Sequence, residues 1–160
     1  MSDVITVQLQ GVDELKRAPD QVPDKLKKKG LLKALRLAGN VVRDAARAAA
    51  PVLQTPTPYR KKGTVRRALA VRTSKFARKR GDLGVFVGVR PLRGARTNRL
   101  GAAGAKNPND PYYWHFVEFG TKKMAKRPFL AVGAGKLEQA TDVFMREATA
   151  AVNQLNTGAP

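Results

Sequence analysis

The chain has 160 residues, with 31 Lys or Arg against 12 Asp or Glu and a formal net charge of +19. That length fits one domain spanning 1–160, and the charge calls for a nearby counter-anion: nucleic acid, an acidic protein surface or an anionic membrane. There is no Cys, which excludes disulfides, thiolate metal sites and cysteine catalysis.

Met1 to Gln10 carries Asp3 and has no apolar run behind a basic region, so it does not read as a signal peptide. No apolar run approaches the roughly 20 residues of a membrane-spanning helix. The chain is therefore expected to be made as a soluble, intracellular protein. Ile5, Val7 and Leu9 alternate with Val4, Thr6, Gln8 and Gln10, the period-two pattern of a short half-buried strand. Asp13 can cap a turn carrying Leu15, and Pro19 and Pro23 then punctuate the chain.

Asp24 suits the N-cap of a first long helix. Leu31, Leu35, Ala38, Val42, Ala45 and Ala49 follow the three–four spacing of one helical face, which Leu32, Gly39 and Ala46 widen. The helix must stop before Pro51. Its alanine-rich far half predicts close packing on a sheet or a neighbouring helix. Pro51 to Gly63 reads as a loop, and Thr64 to Ala68 as one helical turn or an extended lead-in. Leu69, Val71 and Thr73, then Leu83, Val85, Val87 and Val89, alternate as two strands of an antiparallel hairpin around a basic turn, Lys75 to Asp82.

Arg90 to Asp110 reads as a flexible, arginine-rich loop; a structureless segment of this length is functional or disordered. Arg90, Arg93, Arg96, Arg99 and Lys106 make it a candidate partner-facing or DNA-facing surface. Tyr112 to Phe119 holds the only Trp and the only His. It reads as an aromatic strand, with Tyr113, His115, Val117 and Phe119 on one face and Tyr112, Trp114, Phe116 and Glu118 on the other. Gly133 to Asn156 reads as a second long helix, with Leu137, Thr141, Phe144, Ala148, Val152 and Leu155 in a stripe, and a frayed tail at 157–160. The order predicts an α+β fold: a mostly antiparallel sheet of about four to five strands packed by two long helices.

No catalytic constellation emerges. His115 stands alone, the carboxylates are scattered, and no pair has metal-ligand spacing with a His. Gly101–Lys106 and Gly133–Lys136 lack the full spacing of a phosphate loop and the Ser or Thr after Lys. No enzyme activity, cofactor or metal is expected. The Lys/Arg clusters suit phosphate contacts, yet no nucleic-acid reading module is present, so any DNA contact goes to the backbone and is blind to sequence. Glu118 is either a surface charge or, in a segment this apolar, a carboxylate holding an arginine or the adjoining loop; a buried charge must be paired.

The run Tyr113-Trp114-His115-Phe116-Val117-Glu118-Phe119-Gly120-Thr121, together with Arg127-Pro128-Phe129-Leu130 downstream, resembles the signature of the tail-completion, or neck, proteins of lambda-like long-tailed DNA phages. In that family an aromatic segment ends in Glu-Phe/Tyr-Gly-Thr and a Pro-Phe-Leu/Met segment opens the last helix. Gly63-Thr64-Val65-Arg66 and Val85-Phe86-Val87-Gly88 resemble two further blocks, in the same order. The insertion at Arg90–Asp110 and the Pro-rich Leu53–Tyr59 depart from the pattern. The resemblance implies a non-catalytic structural virion protein, assembled in the cytoplasm of the bacterial host. It implies a homo-oligomeric ring, commonly a hexamer, at the neck, which ends the tail tube or joins it to the head. Its partners would be the tail tube protein and the head-completion (stopper) protein of the connector, with nonspecific contact to DNA in the lumen as a further option. The implied ring interface is the corner made by Trp114, His115, Glu118, Phe119, Gly120, Thr121, Arg127, Pro128 and Phe129. The competing reading is a basic, sequence-nonspecific DNA-binding protein of the nucleoid type.

Overall fold

A long helix, α1 (Asp24–Ala49), opens the described part of the chain. Its last backbone bond runs from the N–H of Ala50 to the carbonyl of Ala46 at 2.9 Å, and Pro51, with no N–H to give, ends it. The computed structural model describes residues 24–156. The expected strand Val4–Gln10, the Asp13 turn and the frayed tail lie outside them. After α1 come α2 (Thr64–Ala68), β1 (Leu69–Thr73), α3 (Lys75–Lys79), β2 (Val85–Val89), α4 (Ala95–Leu100), α5 (Trp114–Phe119), α6 (Leu130–Ala134) and α7 (Leu137–Asn156).

The fold is α+β, but among the described residues the sheet has two strands, β1 and β2, rather than four to five. The difference comes chiefly from the aromatic segment, which is helical. The hairpin itself is as the alternation predicts. Its antiparallel register is bounded by Arg90 N–H donating to the Ala68 carbonyl and Ser74 N–H to the Gly84 carbonyl, both at 2.8 Å. The basic turn between the strands is the short helix α3, capped by Ser74 Oγ, which accepts from the N–H of Ala77 at 3.1 Å.

The chain divides into two units, one of α1 up to Val42 with Val71–Phe86 and the segment from Lys136, the other of Arg43–Ala70 with Val87–Gly135. In the first, Ala34 and Ala38 of α1 are buried with Ala140, Phe144 and Ala148 of α7. Ala38, Phe144 and Ala148 are positions of the two predicted stripes, whereas Ala34 was not expected on the buried face of α1. Small residues of α1 allow close approach: a Cβ on Gly30 would lie 3.1 Å from that of Ala151 on α7, and one on Gly39 would lie 2.8 Å from Val71 Cγ1 on β1. The predicted second long helix is divided into α6 and α7, because Gly133 and Gly135 carry the lowest helix propensity of any residue but Pro.

In the second unit the alanines at the end of α1 pack as expected. Ala46 and Ala50 are buried with Val65, Ala68, Leu69, Val89 and Phe129. Tyr113, Trp114, Val117 and Leu130 pack against that cluster. Phe129 is completely buried, at 0 % exposure, and is the largest side chain in it.

Candidate assembly surface

The segment expected to be an aromatic strand forms a helical turn. The N–H of Trp114 donates to the Pro111 carbonyl at 2.9 Å, Phe116 to Tyr113 at 3.0 Å and Gly120 to Phe116 at 2.9 Å. A short apolar run does not separate strand from helix by periodicity. Pro111 before it and Gly120 after it are the punctuation of a short helix. The change re-sorts the side chains. Tyr113, Trp114 and Val117 turn toward the core at three–four spacing, while His115, Phe116 (42 % exposed) and Phe119 (63 % exposed) face outward. The two-face division expected for a strand, which put Phe119 and His115 with Tyr113, does not hold.

Glu118 is 6 % exposed. Its carboxylate accepts three backbone bonds, from the N–H of Phe129 at 2.8 Å, Leu130 at 3.0 Å and Ala131 at 3.1 Å. It thus satisfies the unpaired donors at the start of α6, where negative charge is also favoured. Of the two readings left open by the sequence, the carboxylate holds the loop downstream of it. The Glu-Phe-Gly-Thr block and the Pro-Phe-Leu block are therefore one physical unit. Between them the N–H of Thr121 donates to the Met124 carbonyl at 2.9 Å, that of Met124 donates back at 3.2 Å, and that of Arg127 donates to the Val117 carbonyl at 2.8 Å.

Gly120 makes the corner with φ 78° and ψ −179°. A Cβ there would stand 2.9 Å from the N of Lys126 and 3.0 Å from the carbonyl oxygen of Met124. Both obstacles are backbone and the dihedrals belong to Gly alone. Gly120→Ala is expected to lower the unfolding free energy by about 2 to 3 kcal/mol, read from urea denaturation monitored by the fluorescence of Trp114.

The segment Arg90–Asp110 carries more structure than its composition suggests. Besides α4, it is tied by Asp110, which is buried and accepts from the N–H of Gly104 at 2.7 Å and, at a longer 3.5 Å, from that of Leu92. Asn107 Nδ2 donates to the carbonyls of Leu100 at 2.9 Å and Ala102 at 2.7 Å. The Thr64 hydroxyl lies 3.0 Å from both the Pro108 and Lys61 carbonyls, either of which can take its proton. Arg90, Arg93, Arg99 and Lys106 are exposed on this scaffold, whereas Arg96 folds back onto the carbonyls of Arg90 at 3.0 Å and Pro91 at 3.2 Å.

The carboxylates of residues 43–70 and 87–135 are Asp44, Asp110 and Glu118. Asp110 and Glu118 are buried on backbone N–H groups. Asp44 is bound by Arg43 at 2.9 Å, and that hydrogen bond holds its carboxyl below the ordinary range. The outer surface of this unit is consequently almost wholly basic, with Asp44 its one exposed carboxylate.

Residues 13–120 match the family described as "Bacteriophage HK97-gp10, putative tail-component". The chain belongs to this family. It is a structural component of a phage tail, and so a virion protein, in keeping with the resemblance to neck and tail-completion proteins. The matched span runs from before α1 to the corner at Gly120, so the family covers Glu118 but not the amides it binds. Neither the curated proteins nor the solved structures contain a match to this chain. Among the described residues no helix is long and apolar enough to cross a membrane, and no cluster of His, Asp and Glu could hold a metal ion.

The structure places the residues expected at the ring interface in two roles. His115, Phe119, Thr121, Arg127 and Pro128 are exposed; Glu118 and Phe129 are buried, and Trp114 and Gly120 are half-buried. The second group shapes the corner that presents the first. Sequence reasoning missed Arg60, Tyr113, Phe116, Val117, Thr121 and Met124 as a set. They line one groove of about 220 Å³. Nothing in the chain order signals it, since Arg60 lies in the Pro-rich loop, far from α5. The clamp at Asp110 had a signal: Asn107-Pro108-Asn109-Asp110-Pro111 is dense in turn-forming residues.

Proposed function

We propose that this tail component forms a closed homo-oligomeric ring, a hexamer, at the phage neck. There it completes or terminates the tail tube and joins it to the head connector. The observation that supports this reading most is the corner at Glu118–Ala131. It is a turn, tied by Glu118 to three backbone N–H groups, that exposes His115, Phe119, Thr121, Arg127 and Pro128. A closing ring needs a heterologous contact in which one patch meets a different patch of the next copy, and this corner supplies one of the two. Arg90, Arg93, Arg99 and Lys106, held outward on the Asp110-tied segment, suit the acidic faces of the tail tube protein below or the stopper protein above.

Electron microscopy of the purified protein, alone and mixed with tails lacking it, tests the reading: closed rings at the head-proximal end of tails are expected. Neutralising Arg93 and Arg99 together is expected to reduce head–tail joining at least tenfold while the variant keeps its circular dichroism spectrum. Normal joining by that variant refutes the role of this segment. The predominantly basic surface also favours a second reading, a sequence-nonspecific DNA-binding protein. A salt titration of duplex binding separates the two, because submicromolar affinity with a steep salt slope belongs to the binder.

A further inference from the structure

The groove beside α5 is built around Arg60, which has no carboxylate partner among the described residues. Arg60 donates from Nη2 to the Tyr112 hydroxyl at 2.9 Å. Its guanidinium carbon stands 4.8 Å from the ring centre of Tyr113 and 5.6 Å from that of Tyr112. Two rings and a hydroxyl thus fix the side chain, and a cation over aromatic faces is stabilised there. The remainder of the lining is mainly apolar: Tyr113, Phe116, Val117 and Met124, with Thr121. Phe116 and Met124 are 42 % and 40 % exposed. Burial has already pushed the Tyr113 phenol above its ordinary value, so this wall is partly desolvated. Lys122 and Lys123 come directly after Thr121 on the turn and are exposed.

A pre-positioned cation at the side of an apolar cleft, with more cations at the rim, recognises a definite chemistry. The space of about 220 Å³ holds one bulky apolar side chain. Carboxylates next to that side chain would meet Arg60 and the rim lysines, and a fixed guanidinium binds a carboxylate with two parallel bonds. We infer that this groove is a docking site for an acidic segment of another protein, one that inserts a bulky apolar side chain flanked by carboxylates.

Duplex DNA fits the groove poorly. Its bases are stacked out of reach, and an apolar cleft adds nothing to a phosphate contact. A second copy fits less well, because each copy carries 31 Lys or Arg against 12 Asp or Glu, so its approach brings net positive charge to an already cationic groove. The inference does not depend on the ring and is tested on the protein alone.

The probe is an acetylated, amidated pentapeptide Glu-Asp-Leu-Asp-Glu, against its neutral counterpart Gln-Asn-Leu-Asn-Gln. The readouts are the NMR signals of the Met124 methyl and the Arg60 Nε–H. The acidic peptide is expected to move both and to saturate with a dissociation constant below about 1 mM, and the neutral peptide to bind at least tenfold more weakly. Arg60→Gln and, independently, the surface variant Met124→Gln are each expected to weaken the acidic peptide at least fivefold; Met124 is exposed enough that its variant folds. Equal binding of both peptides overturns the proposal. So does movement confined to Lys122, Lys123 and the Arg93–Arg99 region, which marks diffuse charge attraction. Groove signals that respond more strongly to a duplex at equal concentration assign the groove to DNA. Groove signals that shift when the protein alone is concentrated assign it to a second copy. Either of those results also overturns the proposal.

Discussion

Glu118→Ala is expected to lower the unfolding free energy by about 3 to 5 kcal/mol, a large share of the stability of a domain this size. The substitution removes the acceptor of three backbone donors at 2.8, 3.0 and 3.1 Å and leaves them where water has little access. Charged acceptors contribute more per bond than neutral ones, and an orphaned buried donor adds its own penalty. Glu118→Gln is the informative companion. It keeps the shape and one carbonyl oxygen but loses the charge and one acceptor. Its cost is expected near half that of Ala, about 1.5 to 2.5 kcal/mol. Urea midpoints at neutral pH check both values. Equal loss for the two variants would mean that charge, not the count of bonds, sets the stability of the corner.

Phe129→Ala is expected to cost about 3 to 5 kcal/mol, by lost burial and by the cavity left behind. Phe129 is the largest side chain of a cluster otherwise made of Ala, Val and Leu. Small neighbours of that kind cannot swing in to fill the space. Phe129→Leu keeps most of the volume and is expected to cost about 1 to 1.5 kcal/mol. The two sites are in direct contact through the backbone N–H of Phe129, which donates to Glu118 and survives Phe129→Ala. Combining Glu118→Ala with Phe129→Ala is therefore expected to depart from the sum of the single costs by more than about 0.5 kcal/mol, which a double-mutant cycle measures.

These two residues also mark how far the sequence could be read. The long elements were legible because their patterns repeat. The alanine and leucine stripe of α1 and the Phe144–Ala148 stripe of α7 each run for several turns, and the alternation of β1 and β2 is clean. The helix α5 was not legible. Its six residues make less than two turns, and an apolar run that short satisfies period two and period 3.6 equally well. Only the flanking Pro111 and Gly120 argued for helix, and the β-favouring aromatics argued against it. That one misreading displaced His115, Phe116 and Phe119 from their true faces and inflated the sheet. The pairing of Glu118 with the start of α6 was half legible: burial demanded a partner, but a partner made of backbone leaves no trace in side-chain chemistry. The same holds for Asp110, whose partners are also amides. The groove around Arg60 was invisible, because it joins residues about 50 positions apart with no complementary pair to link them.

The inward turn of Asp110 and Glu118 has a consequence for timing. Each removes a negative charge from the outside and places it where only amides feel it. What faces the solvent from these parts of the chain is then almost wholly positive. Copies so charged meet one another slowly at low ionic strength, while an acidic surface draws them in quickly. Under the proposed role, such subunits would stay dispersed as they accumulate and gather where an acidic platform is already present.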